Sequence, residues 1–195
     1  MSQPRSRNGE STKCYIALGA NVTSSFGTPS STITRCFERL DNPLLGLSRK
    51  SELYETPAFP KASDPPFVNA VAELETRLSA GQVLDHLHEI EAEFGRIRET
   101  RWAERTLDLD LLSYGSMVSP DCDTYNSWRD LPLEDQLIQI PDQLILPHPR
   151  LQERAFVLVP WAEIAPDWIH PVSGQSVAQM GRQLSESDKR DVKRI

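Results

Sequence analysis

Residues 67–75 read FVNAVAELE, and their alternation decides the fold. Val68, Ala70, Ala72 and Leu74 fall on one face of a strand, and Phe67, Asn69 and Val71 fall on the other, the period of two expected of a half-buried strand. Upstream, Pro57, Pro60, Pro65 and Pro66 make residues 56–66 a loop stiffened by fixed φ angles. Residues 44–54 read as a strand ending in LYE. Before them, Ile33, Phe37 and Leu40 recur at helical spacing in SSTITRCFERLD (30–41), and Asn42-Pro43 stops that helix. KCYIALGA (13–20) reads as a short strand ending at Gly19. Downstream, Ser79 caps a helix to about Phe94, with Val83, Leu87, Ile90 and Phe94 as its apolar stripe and Gly95 as its stop. RTLDLDLLSY (105–114) is a further strand. Residues 119–147 read as a long irregular stretch with Trp128 and Pro141, and a last helix lies around VPWAEIA (159–165).

This order of strand, helix, strand, strand, helix, strand predicts the α/β class: a ferredoxin-like sandwich with a central, mainly antiparallel sheet and helices covering one side. A chain of 195 residues suits one domain with a real core. Its expected limits are 13–184, with 119–141 as an irregular insertion, 1–12 as a disordered tail and 185–195 as a charged tail or frayed helix.

A formal net charge of −7 argues against a general nucleic-acid binder, whose phosphate affinity comes from excess Lys and Arg. Cys14, Cys36 and Cys122 are odd in number and widely spaced, which is neither a disulfide framework nor a zinc site. The polar start MSQPRSRNGESTK has no apolar core of a leader, and no apolar run approaches the ~18 residues of a membrane span. The expected location is the cytoplasm, with no membrane or nucleic-acid partner, and the expected assembly is a monomer.

Asp108 and Asp110 stand two residues apart on a strand, so their carboxylates share a face with Cα atoms about 6.8 Å apart. Like charges this close repel unless a cation sits between them, and hard divalent cations such as Mg²⁺ take oxygen ligands. The bland alternative is an acidic solvent face on an edge strand. Arg96, Arg98, Arg101 and Arg105 precede the pair. No lysine occurs between Lys61 and Lys189, whereas nine arginines do. Arginine forks bind phosphate bidentately where lysine offers a point charge, so cluster and carboxylates together describe a polyphosphate site. Trp102, inside the cluster, is either a stacking plate or a core residue. Phe67 beside Asn69 offers what a planar heterocycle needs, a ring face and an amide; a core aromatic with a capping amide is the alternative. His148 is held between Pro147 and Pro149, and Arg154 with Phe156 repeats the pairing of cation and plate. There is no phosphate-binding glycine loop and no protein-kinase signature.

Taken together, these strings resemble the 6-hydroxymethyl-7,8-dihydropterin pyrophosphokinase family. RWAERTLDLDLL resembles its signature run. YIALGAN, YETPAF, FVNAV, IEAEFGRIR, LPHPRLQERAFVLVP and EIAP follow in the family's order, from about Tyr15 to Ile169. The resemblance implies pyrophosphate transfer from ATP to the hydroxymethyl group of a reduced pterin, with AMP released, on the route to folate. It implies two Mg²⁺ ions on Asp108 and Asp110, and Arg96 and Arg105 as catalytic residues steadying the transferring group. His88, Glu91, Arg98, Trp102, Leu111, His148 and Arg154 would hold ATP. Thr56, Pro57, Phe59, Phe67, Asn69 and Phe156 would hold the pterin. The chain departs from the pattern at Ala103-Glu104, where Gly-Pro is usual, at His88, where Gln is common, in an arginine loop one residue shorter, and in an insertion longer by roughly twenty residues. Two rivals remain for the same features: a metal-dependent phosphatase or nuclease using the Asp pair, and a ferredoxin-like RNA-binding module stacking bases on Phe67 and Trp102.

Overall fold

The alternating segment is β4, Phe67–Thr76, the strand with most partners in a six-stranded antiparallel sheet. The computed structural model describes residues 10–58, 64–95 and 106–195. β1 (Thr12–Ala20) pairs with β4 along one side, and β2 (Leu45–Lys50) and β3 (Tyr54–Thr56) share its other side. β5 (Asp108–Tyr114) closes the near edge against β1. Helix α1 (Pro29–Leu40) follows β1, and α2 (Ala80–Glu93) follows β4. The predicted strand-helix order is therefore observed, with one extra strand between α1 and β4.

The two faces of β4 separate as its alternation requires. Val68, Ala70, Ala72 and Leu74 join Ile33, Phe37 and Leu40 of α1 and Val83, Leu87 and Ile90 of α2 in one core. Val71 joins a second core on the opposite face. That second core corrects the expectation of helices on one side. α5 (Ala155–Ile164) and α6 (Val177–Gln183) cover the other face, where Trp161 is fully buried with its ring 5.1 Å from that of Tyr15. α5 is apolar on nearly every side, so its sequence carried no stripe to say which way it faces.

α2 begins as expected. Ser79 accepts from the Gln82 N–H while Gln82 reaches back to the Ser79 N–H, and Gly95 takes φ +80° just past the end. The stretch 44–54 is two strands rather than one. At the break, the Ser51 hydroxyl accepts from Val71 N at 3.0 Å, doing the work of a ladder carbonyl. β1 does not stop at Gly19 but runs through it to Ala20. The stretch read as irregular contains α3 (Cys122–Arg129) and α4 (Leu133–Ile138). The charged C-terminal stretch forms α7 (Glu186–Arg190) and then β6 (Lys193–Arg194), which pairs with β3. Residues 1–9 of the expected disordered tail lie outside the described residues. Cys14 and Cys36 are buried, Cys122 is exposed and all three are free thiols. No described helix is long and apolar enough to cross a membrane.

α3 is tied down by a buried pair. Nδ1 of His170 accepts from the N–H groups of Val172 and Ser173 at 3.1 and 3.2 Å. The neutral ring therefore carries its proton on Nε2 and donates to the Tyr125 hydroxyl at 2.9 Å. Burial, with Arg129 adding to it, lowers the His170 pKa to about 4. The native ring thus stays neutral while the unfolded ring protonates below about pH 6.5. Its contribution to stability is complete above that value and is lost as pH falls from about 6.5 to 4, about 3 kcal/mol in all. Thermal unfolding of His170→Gln should lose less stability over this window than the wild type does. Equal slopes in the two proteins would show that His170 is not the titrating group.

Candidate active site

The face covered by α5 extends past it to an open end, where the pleat presents polar side chains. Leu107, just before β5, and Leu109 and Leu111 on it turn into the α1/α2 core, leaving Asp108 and Asp110 half-exposed on the opposite face. The cross-strand register then fixes their neighbours. Gly19 sits opposite Asp108 on one side and opposite Asn69 on the other. Ala17 sits likewise between Asp110 and Val71. With strands about 4.8 Å apart, Asp108 and Asn69 stand about 10 Å from each other across the bare backbone of Gly19. A Cβ at Gly19 would lie 3.4 Å from Asn69 Oδ1 and 3.8 Å from the Phe67 ring. The amide oxygen and the half-buried aromatic therefore both border the floor that the glycine leaves clear.

Asn69 is buried and oriented. Its Nδ2 donates to Thr56 Oγ1 at 2.8 Å, and Thr56 is buried at the end of β3. That bond fixes the amide's sense and leaves Oδ1 turned to the Gly19 floor. Pro57 follows exposed and Ala58 buried. Phe59 lies outside the described residues, as do Arg96, Arg98, Trp102 and Arg105.

Arg154, at the start of α5, reaches Asp110 Oδ2 through Nη1 at 3.2 Å, with its guanidinium 5.6 Å from the centre of the Phe156 ring. His148 is locked by backbone. Its N–H donates to the Leu112 carbonyl at 2.8 Å, and its Nδ1 accepts from Arg150 N at 3.2 Å. The ring's proton therefore sits on Nε2. Burial first, then Arg154 and Arg150, push the His148 pKa well below the usual range, outweighing the opposite pull of Asp108. This imidazole is a neutral donor at physiological pH.

Two residues expected to contact ATP have buried side chains. The Leu111 side chain is buried in the α1/α2 core. Glu91 is 1% exposed, and its Oε1 accepts the N–H of Leu109 at 2.8 Å. This N–H lies on the free edge of β5, between the two aspartates, so Glu91 fixes the strand segment that presents them. His88 is half-buried one turn earlier on α2.

The sequence left three features unread. Gly19 is a floor rather than a strand end, and its signal was a glycine within an otherwise apolar run. Leu112 is the extra residue of a bulge: Tyr15 opposes Ser113 while Ile16 opposes Leu111. The bulge turns Leu112 into the second core and frees its carbonyl for His148. The third is Arg150, taken up below.

The donor set at Asp108 and Asp110 is hard oxygen, side by side and open to solvent. No third His, Cys, Asp or Glu completes a protein cage among the described residues. That suits Mg²⁺, which takes one or two carboxylates and fills its remaining positions with phosphate and water.

Comparison with known proteins identifies the family. Residues 15–166 match the family model described as 7,8-dihydro-6-hydroxymethylpterin-pyrophosphokinase (HPPK). The 2-amino-4-hydroxy-6-hydroxymethyldihydropteridine pyrophosphokinase of Pseudomonas aeruginosa is 39% identical over 155 residues, covering 80% of this chain and 82% of that one. The protein of the same name from Haemophilus influenzae is 35% identical over 172 residues, covering 88% and 92%. Among solved structures, a Plasmodium falciparum HPPK-DHPS triple mutant with STZ-DHP superimposes with a TM-score of 0.67 over 97% of this chain at 13% identity. This chain spans 48% of that longer one, and a likeness at such low identity speaks to fold alone. On the family match and the two bacterial relatives, the chain belongs to the 7,8-dihydro-6-hydroxymethylpterin-pyrophosphokinase family.

Proposed function

We propose that the open face from Asp110 to Phe67 is where this chain transfers a pyrophosphoryl group from ATP to 6-hydroxymethyl-7,8-dihydropterin, releasing AMP, a step of folate biosynthesis. The observation that carries it is the row Asp108–Gly19–Asn69, a metal-ready carboxylate and an oriented amide on either side of a clear floor.

At the Asn69 end, Nδ2 is held by Thr56, leaving the amide oxygen to accept from an N–H on the pterin edge. Phe67 and Phe156 supply plates for the two ring faces, and Thr56, Pro57 and Phe59 complete the pocket. At the other end, Asp108 and Asp110 hold Mg²⁺, with two ions as the proposed number. Bound there, the metal offsets triphosphate charge and polarises the group in transfer. The Arg154–Asp110 pair is part-exposed, and such pairs contribute roughly 0–1 kcal/mol. Arg154 can therefore turn from the carboxylate to a phosphate at little cost. The neutral His148 donates from Nε2 to a phosphate oxygen without adding charge.

Arg96 and Arg105 steady the transferring group, and Arg98, Trp102 and His88 complete the ATP site. Glu91 acts through Leu109 N–H, as a positioning residue rather than a ligand. No general base is required, because alignment and electrostatic stabilisation carry phosphoryl transfer. All these groups belong to one chain, and the reading needs no second copy. A phosphatase or nuclease would use the carboxylates but leave the Asn69 end without a task, and an RNA-binding module would leave the carboxylates without one.

AMP should appear from ATP and Mg²⁺ only when the hydroxymethyl pterin is present, and Asp110→Asn should remove at least 99% of turnover while keeping its fold. Pterin-independent AMP would overturn the reaction; near-normal turnover in the variant would overturn the metal assignment. Asn69→Ala should raise KM for the pterin about tenfold and leave KM for ATP within twofold; equal rises would count against the pocket. Glu91→Gln keeps an acceptor for Leu109 N–H, so it should retain most activity. Glu91→Leu strands that donor and should weaken Mg²⁺ dependence more than ATP affinity. Loss of ATP affinity in both variants at saturating Mg²⁺ would make Glu91 a direct ligand instead.

A further inference from the structure

We propose that Arg150 is a further polyphosphate-binding residue of the ATP site, acting beside Arg154 and His148; the assignment rests on the reading of that site given above. Arg150 follows His148 by two residues, and its backbone N–H holds the imidazole Nδ1. Its side chain is only 26% exposed, yet it is poorly matched with anions. The Nε is buried with no hydrogen-bond partner. The ion pair to Glu153 spans 3.8 Å, too long for a hydrogen bond.

A second guanidinium makes this mismatch sharper. Burial, and then the charge of Arg154, lower the Arg150 pKa, and both arginines lie close enough to depress His148. Arg154 at least meets Asp110. Two guanidiniums and a neutral N–H donor thus lie near one another; Asp110 is taken by Arg154, and Arg150 has only the loose pair to Glu153. Arginine left half-desolvated without a carboxylate fork is costly, because its five donors sit in a fixed plane and are weakly served by water there. A phosphate oxygen pair matches that fork and offsets both charges at once. The alternative, a cation that merely closes the turn at residues 151–153, would rest on the 3.8 Å pair to Glu153. An exposed pair of that kind contributes little.

Titration calorimetry of the full chain with Mg²⁺ and either α,β-methylene-ATP or AMP tests this. Arg150→Gln removes the charge and keeps the backbone contact to His148. It should weaken the triphosphate analogue about tenfold or more and change AMP affinity less than twofold. Arg150→Met, which keeps the aliphatic stem, should show the same split and decides the matter should the glutamine variant fail to fold. Wild-type protein that does not bind the Mg²⁺–analogue complex would overturn the site itself. Wild-type binding with variants that bind both nucleotides normally, or lose both equally, would overturn Arg150 alone.

Discussion

A one-residue slip of β5 against β1 would drive Asp108 and Asp110 into the α1/α2 core and turn Leu107, Leu109 and Leu111 out to water. Because successive side chains alternate faces, no smaller error is available. Burying two carboxylates without partners costs several kcal/mol each, so the leucines and the aspartates enforce the same register from opposite faces. The β1–β4 pairing is locked in the same way, by Val68, Ala70, Ala72 and Leu74 against Asn69 and Val71. Gly19 lies where the two registers meet. The distance between the acidic end of the site and the amide end is therefore a property of the sheet, set by the core before any ligand binds.

The parts of the molecule outside the sheet use its irregularities. At Leu112 the β-bulge adds one residue, and its carbonyl holds His148 N–H. The free edge of β5 offers the Leu109 N–H, which Glu91 takes. The break between β2 and β3 lets Thr56 end beside Asn69 while Ser51 keeps the ladder satisfied. Each device supports a residue of the site from an element remote in sequence.

What could be read from the sequence follows from the range of the signals. The alternation of β4 and β5, the Ser79 cap and the Gly95 stop are local, and they gave the strand order and the faces of Asp108, Asp110 and Asn69. The second helical layer was not legible because α5 is apolar nearly all round, and a helix without a stripe does not announce its side. The bulge at Leu112 and the role of Glu91 depend on backbone groups whose partners are many residues away. Leu111 was expected near ATP, yet strand parity alone assigns its side chain to the core with Leu109. The pairing of β6 with β3 was equally hidden, since two exposed basic residues carry no strand pattern.

The long connection from β5 to His148 is anchored apart from this frame. Ser119 and Leu146 exchange backbone hydrogen bonds at 2.9 and 3.1 Å, closing the neck of the loop that leaves β5 and returns to His148. Everything between can lengthen while that neck holds, because each doubling of a loop costs only about 0.6 kcal/mol in closure entropy. A long free loop beside an active site would still sweep across it. The buried Tyr125–His170 bond removes that freedom by fastening α3 to the turn ahead of α6. α3 is thus fastened by a contact that involves no residue of the site. The two anchors of the connection, the neck and the latch, are independent of the register that sets the floor.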